Sequence, residues 1–307
     1  MKQLLYSLII LLSLLNAGNS FAQSLGRTVT NFDPPASQYF LNQYLANPAM
    51  AGADSGFHIN ASYRRPLDNI PGAPVTGTVT LDGNLGKRVG AGLTVLNDKA
   101  GLIQRTRVGL TYAYHIPMDD AAQQQLHLGL SFGMEVQRLD LKSINGEQND
   151  PSLGMFNHRD HYFDGDFGIA YTNKHLTVQA AMPNLAGFFR DKDKNTSGIA
   201  TFFSAAAYRF DLGEEITAIE PKIAYRGIRN QDNVLDAGLN MILLNHSVNV
   251  FGMYHTTGNC SIGAGLNYQS RFTVQGVYIT QTSGYSSIMS NSFEVDLKIS
   301  LSSLLPE

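Results

Sequence analysis

The chain reads as an all-β protein: a transmembrane, antiparallel up-and-down β-barrel of about 14 strands, with a short N-terminal helical or plug segment before it. Three observations predict this. Fourteen successive segments alternate large apolar side chains with small or polar ones at a period of two. The links between them alternate in length, short ones at one end and the longest at the other. After the first residues, no apolar run has the roughly 20 residues a spanning helix needs. Gly (29), Tyr (14) and Phe (16) are nevertheless plentiful, and charged residues make up only 15%.

Residues 1–22 form a signal peptide by this reading. Lys2 supplies the positive start, Leu4 to Leu15 the apolar stretch, and Ser20-Phe21-Ala22 a small-x-small site for cleavage after Ala22. The chain then divides into an N-terminal segment, 23–56, expected to be a plug or a periplasmic cap, and a barrel, 57–307. The formal net charge of −3 gives no signal for a nucleic-acid partner. Cys260 is the single cysteine, so no intramolecular disulfide can form.

Asp33, Pro34 and Pro35 predict a helix start, an acceptor side chain followed by residues whose fixed φ suits a first turn. Asn47-Pro48 predicts its end. A helix from Pro34 to Ala46 would set Tyr39, Phe40, Gln43 and Tyr44 on one face. So short a helix is marginal in water, and Tyr39, Phe40 and Tyr44 are expected to be buried. Two sites are open to them, the lumen of the barrel and its periplasmic mouth.

The first strands carry Phe57, Ile59, Ala61 and Tyr63, then Val75, Val79 and Leu81, then Val89, Leu93 and Val95, on one face each. The fifth is the cleanest, with Leu126, Leu128, Leu130, Phe132 and Met134 opposite His127, Gly129, Ser131, Gly133 and Glu135. The stretch Thr201 to Phe210 is apolar on both faces, and Pro221 interrupts the ninth strand, because proline cannot donate to a ladder. Several strands run to ten residues or more, beyond the roughly five to six usual in a soluble sandwich. Tyr63, Tyr112, Tyr114, Tyr171, Tyr225, Tyr254, Tyr268 and Tyr278 fall near strand ends, where an interfacial girdle requires aromatics. The short links fit the periplasmic side and the long ones the outside, with the chain entering from the periplasm.

No enzyme is expected. His158, Asp160, His161, Asp164 and Asp166 crowd one long link but match no metal-ligand spacing. Asp191, Asp193 and Asn195 begin like a calcium loop, which then fails at Thr196 and Phe202. Gly90 and Gly92 lie in a strand and open no helix, so they are not a dinucleotide fingerprint. No G-x-S-x-G elbow occurs. No cofactor follows from any of these. The inward faces carry Arg105, Arg107, Glu135, Glu220, Lys222, Asp236, Glu294, Asp296 and Lys298, read either as a porin's selectivity lining or as side chains solvated in a wet lumen.

The run Asp33-Pro34, Ser37-Gln38-Tyr39, Asn42, Asn47-Pro48-Ala49 and Ala51-Gly52 resembles the N-terminal signature of the PorP/SprF family. Tyr63-Arg64 at the end of the first strand and Pro71-Gly72-Ala73-Pro74 before the second fit as well. These are outer-membrane proteins of type IX secretion and gliding motility in Bacteroidota. The resemblance implies an accessory component, embedded in outer-membrane lipid, that helps deliver secreted cargo or retain it at the cell surface. Its implied partners are adhesins with a type IX C-terminal domain and periplasmic ring components of the machinery. The alternative is a passive porin or small-molecule transporter.

Overall fold

The structure, a computed structural model, describes residues 35–67, 73–119, 123–139, 162–185, 200–228, 232–280 and 291–301. The leader, Asp33, Pro34, Gly72, His158 to His161 and Asp191 to Asn195 lie outside the described residues. Strands β1 (Phe57–Pro66), β2 (Val75–Asn84), β3 (Val89–Ala100), β4 (Ile103–Asp119) and β5 (Gln124–Leu139) make the first third of the wall. Next come β6 (Tyr162–Thr172), β7 (Leu176–Met182), β8 (Ala200–Tyr208), β9 (Phe210–Asp211) and β10 (Ile216–Ile228). β11 (Val234–Leu243), β12 (Val248–His255), β13 (Asn259–Tyr268), β14 (Phe272–Ile279) and β15 (Ser292–Ser300) complete it. Each pairs antiparallel with its neighbour, and β15 pairs with β1 from Ser300↔His58 to Ser292↔Pro66, so the sheet closes on itself. β8 and β9 are two pieces of one stave, which makes the closed barrel fourteen-stranded.

The break between those pieces has a cause on the neighbouring strand. β10 runs unbroken through Pro221, which keeps its register with Leu239 of β11. On the other side, pairing with β8 stops at Lys222↔Ala207 and resumes with β9 at Ile219↔Phe210. Pro221 brings no N–H to that ladder. The proline therefore interrupts its neighbour rather than its own strand.

Alternation decides which side chains meet lipid. Leu110, Leu130, Phe132, Ile223, Ile262 and Leu266 point outward and are exposed, as are Tyr63, Tyr112, Tyr254 and Tyr268 of the expected girdle. The intervening residues point inward. In β8 the inward set is Phe203, Ala205 and Ala207, all buried, which accounts for the apolar character of both faces there. At one end the strands are joined by the short links 85–88, 120–123, 173–175, 212–215, 244–247 and 269–271. Gln269 and Ser270 both take positive φ (53° and 56°), as a two-residue hairpin turn matched to sheet twist requires. The other end carries the longest links, 140–161, 183–199 and 280–291, along with two tight ones at 101–102 and 256–258.

The N-terminal segment is not one helix. It makes a four-residue α turn (Pro35–Gln38) and two 3-10 turns (Gln43–Leu45 and Pro48–Met50). Pro48 opens the last turn rather than ending a helix: Asn47 caps it, its Oδ1 accepting from the Ala49 amide at 3.0 Å. The expected single aromatic face is also absent. Tyr39 and Phe40 meet one wall while Tyr44 meets the opposite one, which no continuous helix would allow at that spacing.

Candidate functional site: the occupied lumen

Residues 37–52 touch inward-facing side chains on all sides of the ring, so the segment lies inside the barrel. It descends from the long-link half to the short-turn end, where it continues into β1. At the upper end, Ser37 Oγ donates to Glu294 Oε1 at 2.6 Å and Gln38 Nε2 to Asp296 Oδ1 at 3.1 Å. Arg64 Nε holds the other Glu294 oxygen at 2.5 Å, and its guanidinium also donates to Ser37 Oγ.

Tyr39 is the centre of the upper half and is only 2% exposed. Its ring stacks on Phe203 at 5.8 Å, and its hydroxyl donates to Asp236 Oδ2 at 2.9 Å. Asp236, wholly buried, also receives two bonds from Arg226, at 2.9 and 3.1 Å, and faces His255 Nδ1 at 2.6 Å. Burial, reinforced by the Asp236 charge and hydrogen bond, pushes the Tyr39 phenol well above its ordinary range. Lys222 donates its ammonium to the Tyr39 carbonyl and stands 5.2 Å from the centre of the Phe40 ring, a cation–π distance. Phe40 leans on Phe251 at 5.7 Å. Ala181, Ala205 and Ala224 form the floor of this aromatic niche, their small size leaving room for the rings.

Lower down, Asn42 donates to Thr80 at 2.9 Å, and the Tyr44 hydroxyl bonds Thr111 at 2.7 Å and accepts from Thr94 at 3.1 Å. Burial raises the Tyr44 phenol too. Asn47 Nδ2 reaches the Ile169 carbonyl at 3.1 Å and Gln179 Oε1 at 3.3 Å. From here to the bottom the segment lies close against the wall, in places backbone on backbone. A Cβ at Gly129 would overlap the Pro48 carbonyl and the Ala49 amide, and one at Gly168 would overlap Asn47 and Ala49. Gly90 and Gly92 serve the same purpose beside Ala51 and the Tyr44 ring. Gly52 takes φ +67°, where a side chain would be strained, and donates its amide to Asp82 at 3.1 Å.

The network thus collects Ser37, Gln38, Tyr39, Phe40, Tyr44, Asn47, Pro48, Gly52 and Arg64 in one place. Ala73 and Pro74 stand before β2 and take no part in it. The wet-lumen expectation is corrected in the upper half: Lys222, Asp236, Glu294 and Asp296 are each at most 2% exposed and are spent on this packing. Sequence reading missed the glycine bed and the partner of Tyr39. An inward glycine in a strand is the signal of close backbone approach, and Gly129, Gly168, Gly90 and Gly92 carry it.

Asp236, His255 and Ser261 stand in line, with His255 Nε2 2.9 Å from Ser261 Oγ, an order familiar from nucleophilic relays. Here Ser261 is 1% exposed and Asp236 is engaged by Tyr39 and Arg226, so the line acts as a structural brace. Among the described residues no group of His, Cys, Asp and Glu is arranged to hold a metal.

A closed antiparallel barrel with an apolar outer belt and a filled lumen defines an exported outer-membrane protein. The chain belongs to the family described as type IX secretion system membrane protein PorP/SprF, whose model matches residues 30–299. Membership places it in the multiprotein type IX secretion apparatus, among structural and transport components rather than enzymes. Among solved structures it is similar to the Ralstonia pickettii toluene transporter TbuX, at 10% identity and TM-score 0.51, over 83% of this chain and 91% of that one. The Acinetobacter baumannii outer membrane protein Omp33 matches at 7% identity and TM-score 0.49, over 81% and 99%. The likeness to TbuX concerns the fold alone. No curated protein matches the chain.

Proposed function

We propose that the protein is a closed accessory barrel of type IX secretion that helps deliver secreted cargo, such as adhesins, or retain it at the cell surface. In this reading residues 37–52 are a plug, the long-link end faces the cargo and its C-terminal domain, and the short-turn end faces the periplasmic ring components. One observation carries it: a segment with the family signature fills the lumen, and its Tyr39 is anchored on the buried Asp236. Such a lumen favours a docking role over diffusion of solutes through it.

Deleting the gene should leave one or a few cargo proteins in the periplasm or shed into the medium. Unchanged surface display of every candidate cargo would sink the reading. In planar bilayers the purified protein should be electrically silent. Discrete conductance steps from the unmodified chain would favour the porin reading instead.

A further inference from the structure

Most of the groups that hold the upper half of the segment already have hydrogen-bond partners within the wall. Asp236 keeps both Arg226 bonds and the His255 contact whether or not Tyr39 is present, and His255 keeps Ser261. Glu294 keeps Arg64, and Asp296 keeps a bond from Gln275 at 3.0 Å. Each carboxylate still offers lone pairs toward the lumen. Lys222 is the exception, since its ammonium donates to the segment, with Glu220 two residues away on the same strand. The niche for the aromatic pair is likewise made by wall residues: Phe203, Phe251, Met253 and three alanines. A core that forms only with its occupant would strand buried charges when the occupant left. This wall strands few, which is the mark of a site organised in advance.

We infer that the upper lumen is a preformed peptide receptor, occupied at rest by the chain's own residues 37–44, that accepts from the long-link mouth a partner peptide with an adjacent aromatic pair led by tyrosine and flanked by hydroxyl or amide side chains. The chemistry dictates that class. Asp236 selects a phenol, Lys222 a main-chain carbonyl beside an aromatic ring, and the Glu294–Asp296 pair hydroxyl and carboxamide donors. The lower half, locked backbone to backbone on glycine, stays in place during the exchange. This deepens the cargo-docking reading and rests on its orientation of the long-link end.

The test uses the full chain in detergent and a fluorescent peptide copying residues 37–44. The unmodified protein should bind the peptide weakly, because its own segment competes. The double variant Tyr39→Ser with Phe40→Ser should bind at least ten-fold tighter, and adding Asp236→Asn should return binding to the weak level. Should the double variant fail to fold, Tyr39→Phe, which removes only the bond to Asp236, should still bind the peptide about five-fold tighter than the unmodified protein. The inference is overturned if whichever of these variants folds binds the peptide no more tightly than the unmodified protein. It is also overturned if Asp236→Asn leaves binding unchanged, or if a peptide with both aromatics replaced by serine binds equally well. Peptide binding is read apart from cargo display, so either reading can fail alone.

Discussion

The two ends of the lumen hold one segment by different physics. In the long-link half, Ser37, Gln38 and Tyr39 are held by directed bonds to Glu294, Asp296 and Asp236, with two rings laid in an alanine-floored niche. In the short-turn half, Pro48 to Gly52 lie directly on the backbone of Gly129, Gly90 and Gly83, while Gly168 makes room for the Asn47 carboxamide. Directed bonds can be removed one at a time, each at its own modest cost. Backbone-on-backbone contact has no such gradation, because a single added methyl has nowhere to go.

The largest effect should come from the glycine bed. Gly129→Val places branched carbons where the Pro48–Ala49 backbone runs, at a cost of about 3 kcal/mol or more. The segment should become fully sensitive to limited proteolysis while the barrel keeps its heat-modifiable gel mobility. If cleavage within 37–52 stays as slow as in the unmodified protein, the lower contact is softer than its geometry implies. The triple change of Tyr39, Phe40 and Tyr44 to Ser comes next and should open the segment to protease with the barrel still folded. Continued protection would exclude the plug reading.

Asp236→Asn ranks below these. It takes from the buried Arg226 the carboxylate that receives both of its bonds here, at a cost of about 3 kcal/mol before relaxation. A thermal melt should show the loss, and Arg226→Met in the same chain should recover part of it. Tyr39→Phe is the mildest, about 1 kcal/mol for one hydrogen bond whose acceptor keeps other donors. The raised Tyr39 phenol adds a pH dependence. Its neutral form is favoured in place, so its contribution is complete below the free phenol value of about 10 and falls as pH rises beyond it. Segment proteolysis should therefore increase above that pH, and Tyr39→Phe should flatten the rise.

Much of the barrel was legible in the chain because lipid and ladder impose a strict period of two. Leu126 to Val136 could hardly be placed otherwise, and the short links marked one end without help from any single strand. Pro221 misled because a proline's missing donor is felt across the ladder, which sequence order does not display. The segment was legible as something needing burial, and Tyr39, Phe40 and Tyr44 are its contact residues. Its form was not legible. Local signals at Pro34 and Asn47 argued for one helix, whereas opposite walls pull Tyr39 and Tyr44 apart. The partners of Ser37 and Tyr39 lie 257 and 197 positions away, a pairing no local pattern encodes.

Strands β1 and β15 are the two ends of the sheet, so their pairing is the act that shuts the ring. Arg64 belongs to one edge and Glu294 to the other, and both hold Ser37. The clamp on the top of the segment consequently does not exist until the seam is sewn. An assembly intermediate still open along that edge grips the segment through Asp236, Lys222, Thr111 and the glycine bed, without that clamp. Loading the interior and closing the wall share a last stitch, and a chain that closes empty closes with that stitch missing its thread.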